Sequence, residues 1–391
     1  MGIASVADRP LEGLRVADFS RVLAGPYATW VLAAMGADVI KVEEPGRGDQ
    51  ARRIGPFVDG RSVYFLSLNR AKRGMTLNLK DPRGLEAARR LIAWSDVVVE
   101  NFAPGVMDRI GLGYEVASAI NPRVIYASIS GFGQTGPERD RRAYDMVIQA
   151  LSGIMSITGP EQGPPVRVGV SIGDIMAALF AVVGILAALR RRDRTGRGAY
   201  LDVSMMDCLL ALMENPVARY LATGEVPRPL GARHPVVTPI DLFESSDGYL
   251  VVAAGNDAQW LRLCSAIGRP DLAEREDLRT NADRTARHED VTQALAGVFR
   301  TQTSGHWVDV LNAAGVPAAP LHTIKDAVEW AQTRARGATA GRFVRLPIHG
   351  TGFEAPCDSN APALGEHTDG ALGELGYDSD TIASWRRGGV L

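Results

Sequence analysis

The chain has 391 residues, 46% of them hydrophobic and 23% charged, which at roughly 150 residues per domain allows two to three domains with ample material for a core. Lysine and arginine total 43 against 45 acidic residues, a formal charge of −2, so there is no basic excess of the kind that binds nucleic acid or a membrane surface. Three scattered cysteines, Cys208, Cys264 and Cys357, exclude a disulfide framework and a cysteine-rich zinc site, and the six histidines show neither HExxH nor metal-ligand spacing.

The opening MGIASVADRP has no basic region followed by an apolar stretch, and Val6 stands where a myristoylation motif needs Ser or Thr. Neither a secretory leader nor a lipid anchor is expected, and the setting reads as cytoplasmic. Residues 14–18, 38–42, 96–99 and 124–129 then read as strands, with helices over 27–35 and 84–92 between them. Strands alternating with helices predict an α/β fold with a parallel sheet whose ligand loops follow the strand C-termini. The apolar run 175–189 reads as a long helix, shorter than the roughly 18 residues of a membrane span. Arg190, Arg191 and Arg192 followed by TGRG at 195–198 form a helix stop, read as a solvated helix end. A strand over 199–203 and a helix from about Met205 follow.

Composition shifts at GEVPRPLGARHPVVTP (224–239), whose prolines and glycines predict a linker. Beyond it, strands over 241–244 and 249–253 flank Ser245-Ser246-Asp247-Gly248, a hairpin signal, and helices are expected near 258–267 and 288–300. A smaller α+β domain over 225–325 results. The remainder, 326–391, is glycine-rich and ends in a helix near 381–387.

A dinucleotide site is the first function to weigh, because the second strand ends in Glu43-Glu44 as a ribose-binding strand would. The turn after the first strand, FSRVLAGP (19–26), has one glycine where GxGxxG needs three, which argues against NAD or FAD. Asn101 and Phe102 follow the strand 96–99, Pro104 suits a helix start, and Arg109 lies further along that helix. The GFGQTG turn (131–136) follows the next strand; its glycines imply a sharp turn or a close backbone approach. Asp174, in VSIGD before the most hydrophobic helix, reads either as a helix cap or as a carboxylate nucleophile. A helix N-terminus would favour its anionic form.

Several long blocks in order then carry a resemblance: LAGPYATWVLAAMGADVIKVE (23–43), NRAKRGMTLNLKDPRG (69–84), VVVENFAPGVMDRIGL (97–112), INPRVIYASISGFGQTGP (120–137), YDMVIQALSGIMSITG (144–159), VGVSIGD (168–174), TGRGAYLDVSMMD (195–207) and LGEHTDGALGELGY (364–377). The chain resembles the class III coenzyme A transferases of the CaiB/BaiF type, with formyl-CoA transferase, carnitine CoA-transferase and α-methylacyl-CoA racemase among the relatives. The resemblance implies a Rossmann-like large domain built from 1–224 and 326–391, the small domain inserted between, and an interlocked homodimer. It implies Asp174 as the catalytic residue and CoA contacts at Leu77, Asn78, Lys80, Asn101, Phe102, Arg109, Arg142 and Tyr144. Coenzyme A and acyl-CoA enter as substrates with small carboxylic acids, and no metal, prosthetic group, nucleic acid or membrane is implied.

A glutamine and an arginine of formyl-CoA transferase fall here on Leu23 and Glu44, which argues against formyl or oxalate specificity. The relatives' glycine-rich loop corresponds to Gly255-Asn256-Asp257-Ala258-Gln259. Racemising relatives place a histidine where Tyr144 stands in Arg142-Ala143-Tyr144-Asp145. Tyrosine, with an ordinary pKa of roughly 10, is a poor base at neutral pH, so transfer is favoured over racemisation. An acyl-CoA-binding protein without turnover is the third reading. Oxyanion donors are expected among the amides near Gly173 and in the 131–136 turn, and succinyl-CoA with a small dicarboxylate is the expected substrate pair.

Overall fold

A computed structural model describes residues 9–351, 353 and 360–391; Cys357 and residues 1–8 of the leader reading lie outside the described residues. The chain falls into two compact units. The first gathers the described residues up to Ile154, then Arg167–Glu225, and those from Arg336 onward; the second holds Met155–Val166 and Val226–Ala335.

The first unit is built on β1 (Arg15–Asp18), β2 (Asp38–Glu43), β3 (Arg73–Thr76), β4 (Val97–Glu100), β5 (Ile125–Ser130) and β6 (Ala199–Ser204). They form one sheet in the order β3-β2-β1-β4-β5-β6, every pair parallel. Central strands of such a sheet are covered on both faces and read as largely apolar runs, as Val97-Val98-Val99 of β4 does. The strand order reverses between β1 and β4, and the loops leaving those two strands flank the crevice where open parallel sheets bind ligands.

Helices α1 (Ala24–Ala34), α2 (Val63–Asn69), α3 (Pro82–Trp94), α4 (Val106–Arg109), α5 (Tyr114–Ile120), α6 (Asp145–Ser152), α7 (Ile172–Thr195), α8 (Met205–Leu212) and α9 (Glu214–Thr223) complete this part. Asp81 caps α3 and Pro82 occupies its first turn, where a missing N–H costs nothing. Helix α1 is buried almost all round, which its AGPYATWVLAA sequence requires. Gly25 within it is a close-approach glycine: a Cβ there would lie 2.1 Å from Ser20 Cβ and 3.4 Å from Asn101 Cγ.

Helix α7 is longer than the apolar run that predicts it. It has 24 residues, and its best window has a mean hydropathy of 2.4, enough in length and composition to cross a bilayer. The arginines continue the helix because Arg192 pairs with Asp96 at 2.8 Å, and Gly196 ends it at φ 71°. The helix packs on β5, β6, α1, α6 and α8, burying Ala177, Ala178, Ala181, Ile185 and Ala188, while Leu179, Phe180, Val183 and Leu186 face outward.

In the second unit β7 (Ile240–Ser245) and β8 (Gly248–Ala253) form the expected antiparallel hairpin, and β9 (Ala318–Pro320) pairs with β8. Helices α10 (Asp257–Ala266), α11 (His288–Phe299) and α12 (Ser304–Ala313) supply Trp260, Leu263, Phe299 and Leu311 to a core with Leu250 and Val252. The chain end belongs to the first unit, with α13 (Thr368–Glu374) and α14 (Ser379–Arg387). Just before α13, His367 exchanges hydrogen bonds with Gly74, and Thr368 Oγ1 accepts from Thr76 N–H at 3.1 Å. These contacts close the free edge of β3.

Candidate active site

Asp174 is the third residue of α7, whose N-cap Ser171 makes no side-chain cap. The cap comes from α6. Asp145 Oδ1 accepts the Gly173 N–H at 2.8 Å, and Oδ2 accepts from Gln149 Nε2 at 2.6 Å. Gln149 also donates to the Val170 carbonyl at 3.3 Å and accepts from Val168 N–H at 2.9 Å. Two residues one helical turn apart thus hold the segment leading into α7. The Gly173 amide expected as an oxyanion donor is therefore already bonded, as is that of Gln134 in the 131–136 turn, which donates to Asp202 Oδ2 at 2.9 Å.

The Asp174 carboxyl takes no hydrogen bond or ion pair among the described residues. Burial above all, and then the like charge of Asp145, push its pKa up to about 7. The helix N-terminus thus does not hold Asp174 as a low-pKa anion: the nearest free amide is spent on Asp145, which adds repulsion. Tyr64, half-buried on α2, is pushed above the usual phenol range by burial and by the charges of Asp174, Asp49 and Asp145. It stays a protonated donor beside this cluster of carboxylates. An anionic, underbonded carboxylate in a partly dry site is the form that attacks an activated acyl carbon.

At the sheet's reversal point, Asn101 clasps the β1 loop. Its Oδ1 accepts Arg21 N–H at 2.7 Å and its Nδ2 donates to the Arg21 carbonyl at 2.8 Å. Both carboxylate oxygens of Asp49 accept from Val22 N–H, at 3.1 and 3.2 Å. Val22 is held at φ 65°, a left-handed backbone that a β-branched residue adopts only when its surroundings impose it. The Arg21 guanidinium lies 4.3 Å over the Phe102 ring.

Beneath this loop is a buried charge network. Asp18 pairs with Lys72 at 3.0 Å and accepts from the Ser20 and Thr29 hydroxyls, while Lys41 pairs with Asp49 at 3.0 Å. Burial works against the Asp18 charge, but Lys72 and Lys41 outweigh it and hold the pKa down to about 2. Glu43 accepts from Asp49 N–H and is bidentate to Arg52, so the acid that mimics a ribose ligand is structural.

The other expected residues fall as follows. Leu77 is buried with its N–H donated to the Glu43 carbonyl at 3.0 Å, and the Asn78 side chain turns back onto Lys80 N–H at 3.1 Å. Lys80, Arg109 and Arg142 are exposed. Arg109 is the last residue of α4, which starts at Val106 behind a left-handed Gly105 rather than at Pro104. Tyr144 is the N-cap of α6 and 82% exposed, directly before Asp145. In the second unit, Gly255–Gln259 forms the capped start of α10: Asn256 accepts from Gln259 N–H, and Gly255 N–H donates to the Gln259 side chain.

Sequence reasoning missed Asp145, Tyr64 and Arg21. Asp145 and Gln149 carry an i, i+4 signal, but the bond to Gly173 spans 28 residues and that between Arg21 and Asn101 spans 80.

The strand order and the reversal-point loops define an open parallel α/β fold with its ligand crevice at the reversal of strand order. Comparison with known proteins gives the particular family: the profile of CoA-transferase family III matches residues 11–368. The acetyl-CoA:oxalate CoA-transferase of Acetobacter aceti is 45% identical over 363 residues, covering 91% of this chain and 93% of that protein. The succinyl-CoA:glutarate CoA-transferase of Mus musculus is 39% identical over 395 residues, covering 98% and 90%. A crystal structure of a CaiB/BaiF family protein from Brucella suis superposes with a TM-score of 0.86 at 39% identity, covering 94% of this chain and all of that one. The chain belongs to CoA-transferase family III and is a CoA-transferase.

Proposed function

We propose that the chain moves coenzyme A from an acyl-CoA donor to a small dicarboxylic acid through covalent intermediates on Asp174. The observation that carries this reading is the Asp174 carboxyl itself, partly buried on the first turn of α7 with no bonding partner among the described residues.

Asp174 attacks the thioester carbonyl; the carbon–sulfur bond breaks, CoA leaves as thiolate, and an acyl-aspartyl anhydride forms. The thiolate attacks the aspartyl carbonyl, releasing the donor acid as carboxylate and leaving an aspartyl-CoA thioester. The acceptor carboxylate attacks that thioester and expels CoA thiolate, which then takes the acyl group of the second anhydride and frees Asp174. Holding CoA by its nucleotide end keeps the thiolate at high effective molarity between steps. Lys80, Arg109 and Arg142 suit its phosphates, Phe102 offers a face for its adenine or pantetheine arm, and Leu77, Asn78, Asn101 and Tyr144 complete the contacts.

Relatives named for glutarate and for oxalate support a short dicarboxylate acceptor. The departures at Leu23 and Glu44 speak against oxalate, whereas the 45% identical relative speaks for it; both acids belong in the assay, with succinyl-CoA and acetyl-CoA as donors. Racemisation finds no support, since exposed Tyr144 stands where a histidine base is needed. The outward apolar stripe Leu179, Phe180, Val183 and Leu186 on α7 supports assembly with a second copy. Asp174→Ala tests the reading: it abolishes CoA exchange while leaving the fold intact, and exchange at the normal rate refutes the mechanism.

A further inference from the structure

We propose that Arg21 binds a phosphate of coenzyme A's nucleotide end, an assignment that rests on the CoA-transferase reading above. The residue sits in the loop after β1, at the reversal of strand order where a parallel sheet receives its ligand. Its backbone is fixed from three sides: Asn101 bonds both its N–H and its carbonyl, Asp49 bonds the next amide, and Val22 is held left-handed in consequence. Such a clamp on an exposed arginine aims the side chain.

The guanidinium spends one face on Phe102, 4.3 Å away, which leaves the N–H edge open. Among the described residues it has no ion-pair partner. Three arginines of this unit are by contrast neutralised: Arg52 by Glu43 at 2.7 Å, Arg73 by Asp38 and Glu374, and Arg192 by Asp96. The acids beneath the loop are also matched internally, Asp18 by Lys72 and Asp49 by Lys41. The positive charge at the mouth of the crevice is therefore uncompensated, and a flat fork of donors stacked on an aromatic ring fits a phosphate bidentately. The acceptor's carboxylate is the competing anion.

The test compares the full-length wild-type protein with Arg21→Gln, using succinyl-CoA and succinyl-pantetheine, the latter lacking every phosphate. The proposal expects KM for succinyl-CoA to rise about tenfold or more, kcat to stay nearly unchanged, and succinyl-pantetheine to be used equally by both proteins. An equal loss with both thioesters, or a loss confined to the acceptor's KM, overturns it. If wild type transfers no CoA at all, the parent reading fails separately; calorimetry with CoA and pantetheine then decides Arg21 alone. Weakened binding of CoA only supports the assignment, and unchanged CoA binding overturns it.

Discussion

The Asp145 carboxylate accepts the amide hydrogen of Gly173 at 2.8 Å, so the group that fixes the start of α7 is also the nearest negative charge acting on Asp174. Position and ionisation of Asp174 are thereby coupled through one residue. On the proposed mechanism Asp174 attacks as an anion, and with its pKa raised to about 7, kcat/KM for acyl-CoA falls as pH drops through that value. Asp145→Asn keeps an oxygen for Gly173 and removes the charge. The acid limb of the pH–rate profile then moves from about pH 7 towards about pH 6; an unmoved limb counts against the coupling.

The same carboxylate costs stability. The unfolded value is 3.8 and the folded one about 7, so between them the folded chain holds a proton that the unfolded chain does not. Stability from this group is greatest below pH 4 and declines as pH rises through 7. Asp174→Asn removes the cost: thermal unfolding at pH 8 shifts up by about 2–6 °C, and the difference shrinks towards pH 4. A variant less stable than wild type at pH 8 contradicts this.

Tyr64 keeps its proton beside the carboxylates because burial and their charges raise its pKa. On the proposed mechanism a protonated phenol within electrostatic reach of Asp174 is available to steady oxygen charge during acyl transfer, where the Gly173 and Gln134 amides are already engaged. Tyr64→Phe lowers kcat roughly tenfold or more with little change in KM for acyl-CoA. A change in KM alone, measured by steady-state kinetics, assigns Tyr64 to binding instead.

Lys72 neutralises Asp18 in a fully buried pair. Removing one partner of such a pair strands the other charge, so Lys72→Met destabilises by about 3–5 kcal/mol in chemical denaturation. Replacing both by apolar residues recovers much of that loss. A single variant as stable as wild type contradicts this and shows that Lys41 and the Ser20 and Thr29 hydroxyls suffice to hold Asp18.

Much of the first unit was legible because its central strands are buried on both faces and are mostly apolar, as in VVVE and IYASIS. Strand β3 was not: its RGMT contains an arginine and a glycine, and its outer edge is satisfied by His367 and Thr368, nearly 300 residues away. Helix α7 was read short because Arg190–Arg192 resemble an end, whereas Arg192 reaches Asp96 and lets the helix run to Thr195. Asp174 was visible from its place before the apolar helix. The residues that tune and surround it, Asp145 and Tyr64, depend on contacts between distant loops that no local pattern carries.

On the proposed mechanism Asp174 becomes acylated and then thioesterified in each turnover. Mass spectrometry of the protein quenched during reaction with succinyl-CoA tests it most directly. The peptide containing Asp174 is expected to carry CoA, to yield a hydroxamate with hydroxylamine, and to show neither in Asp174→Ala. A wild-type peptide that stays unmodified while CoA is being exchanged, or an adduct on another residue, contradicts the account.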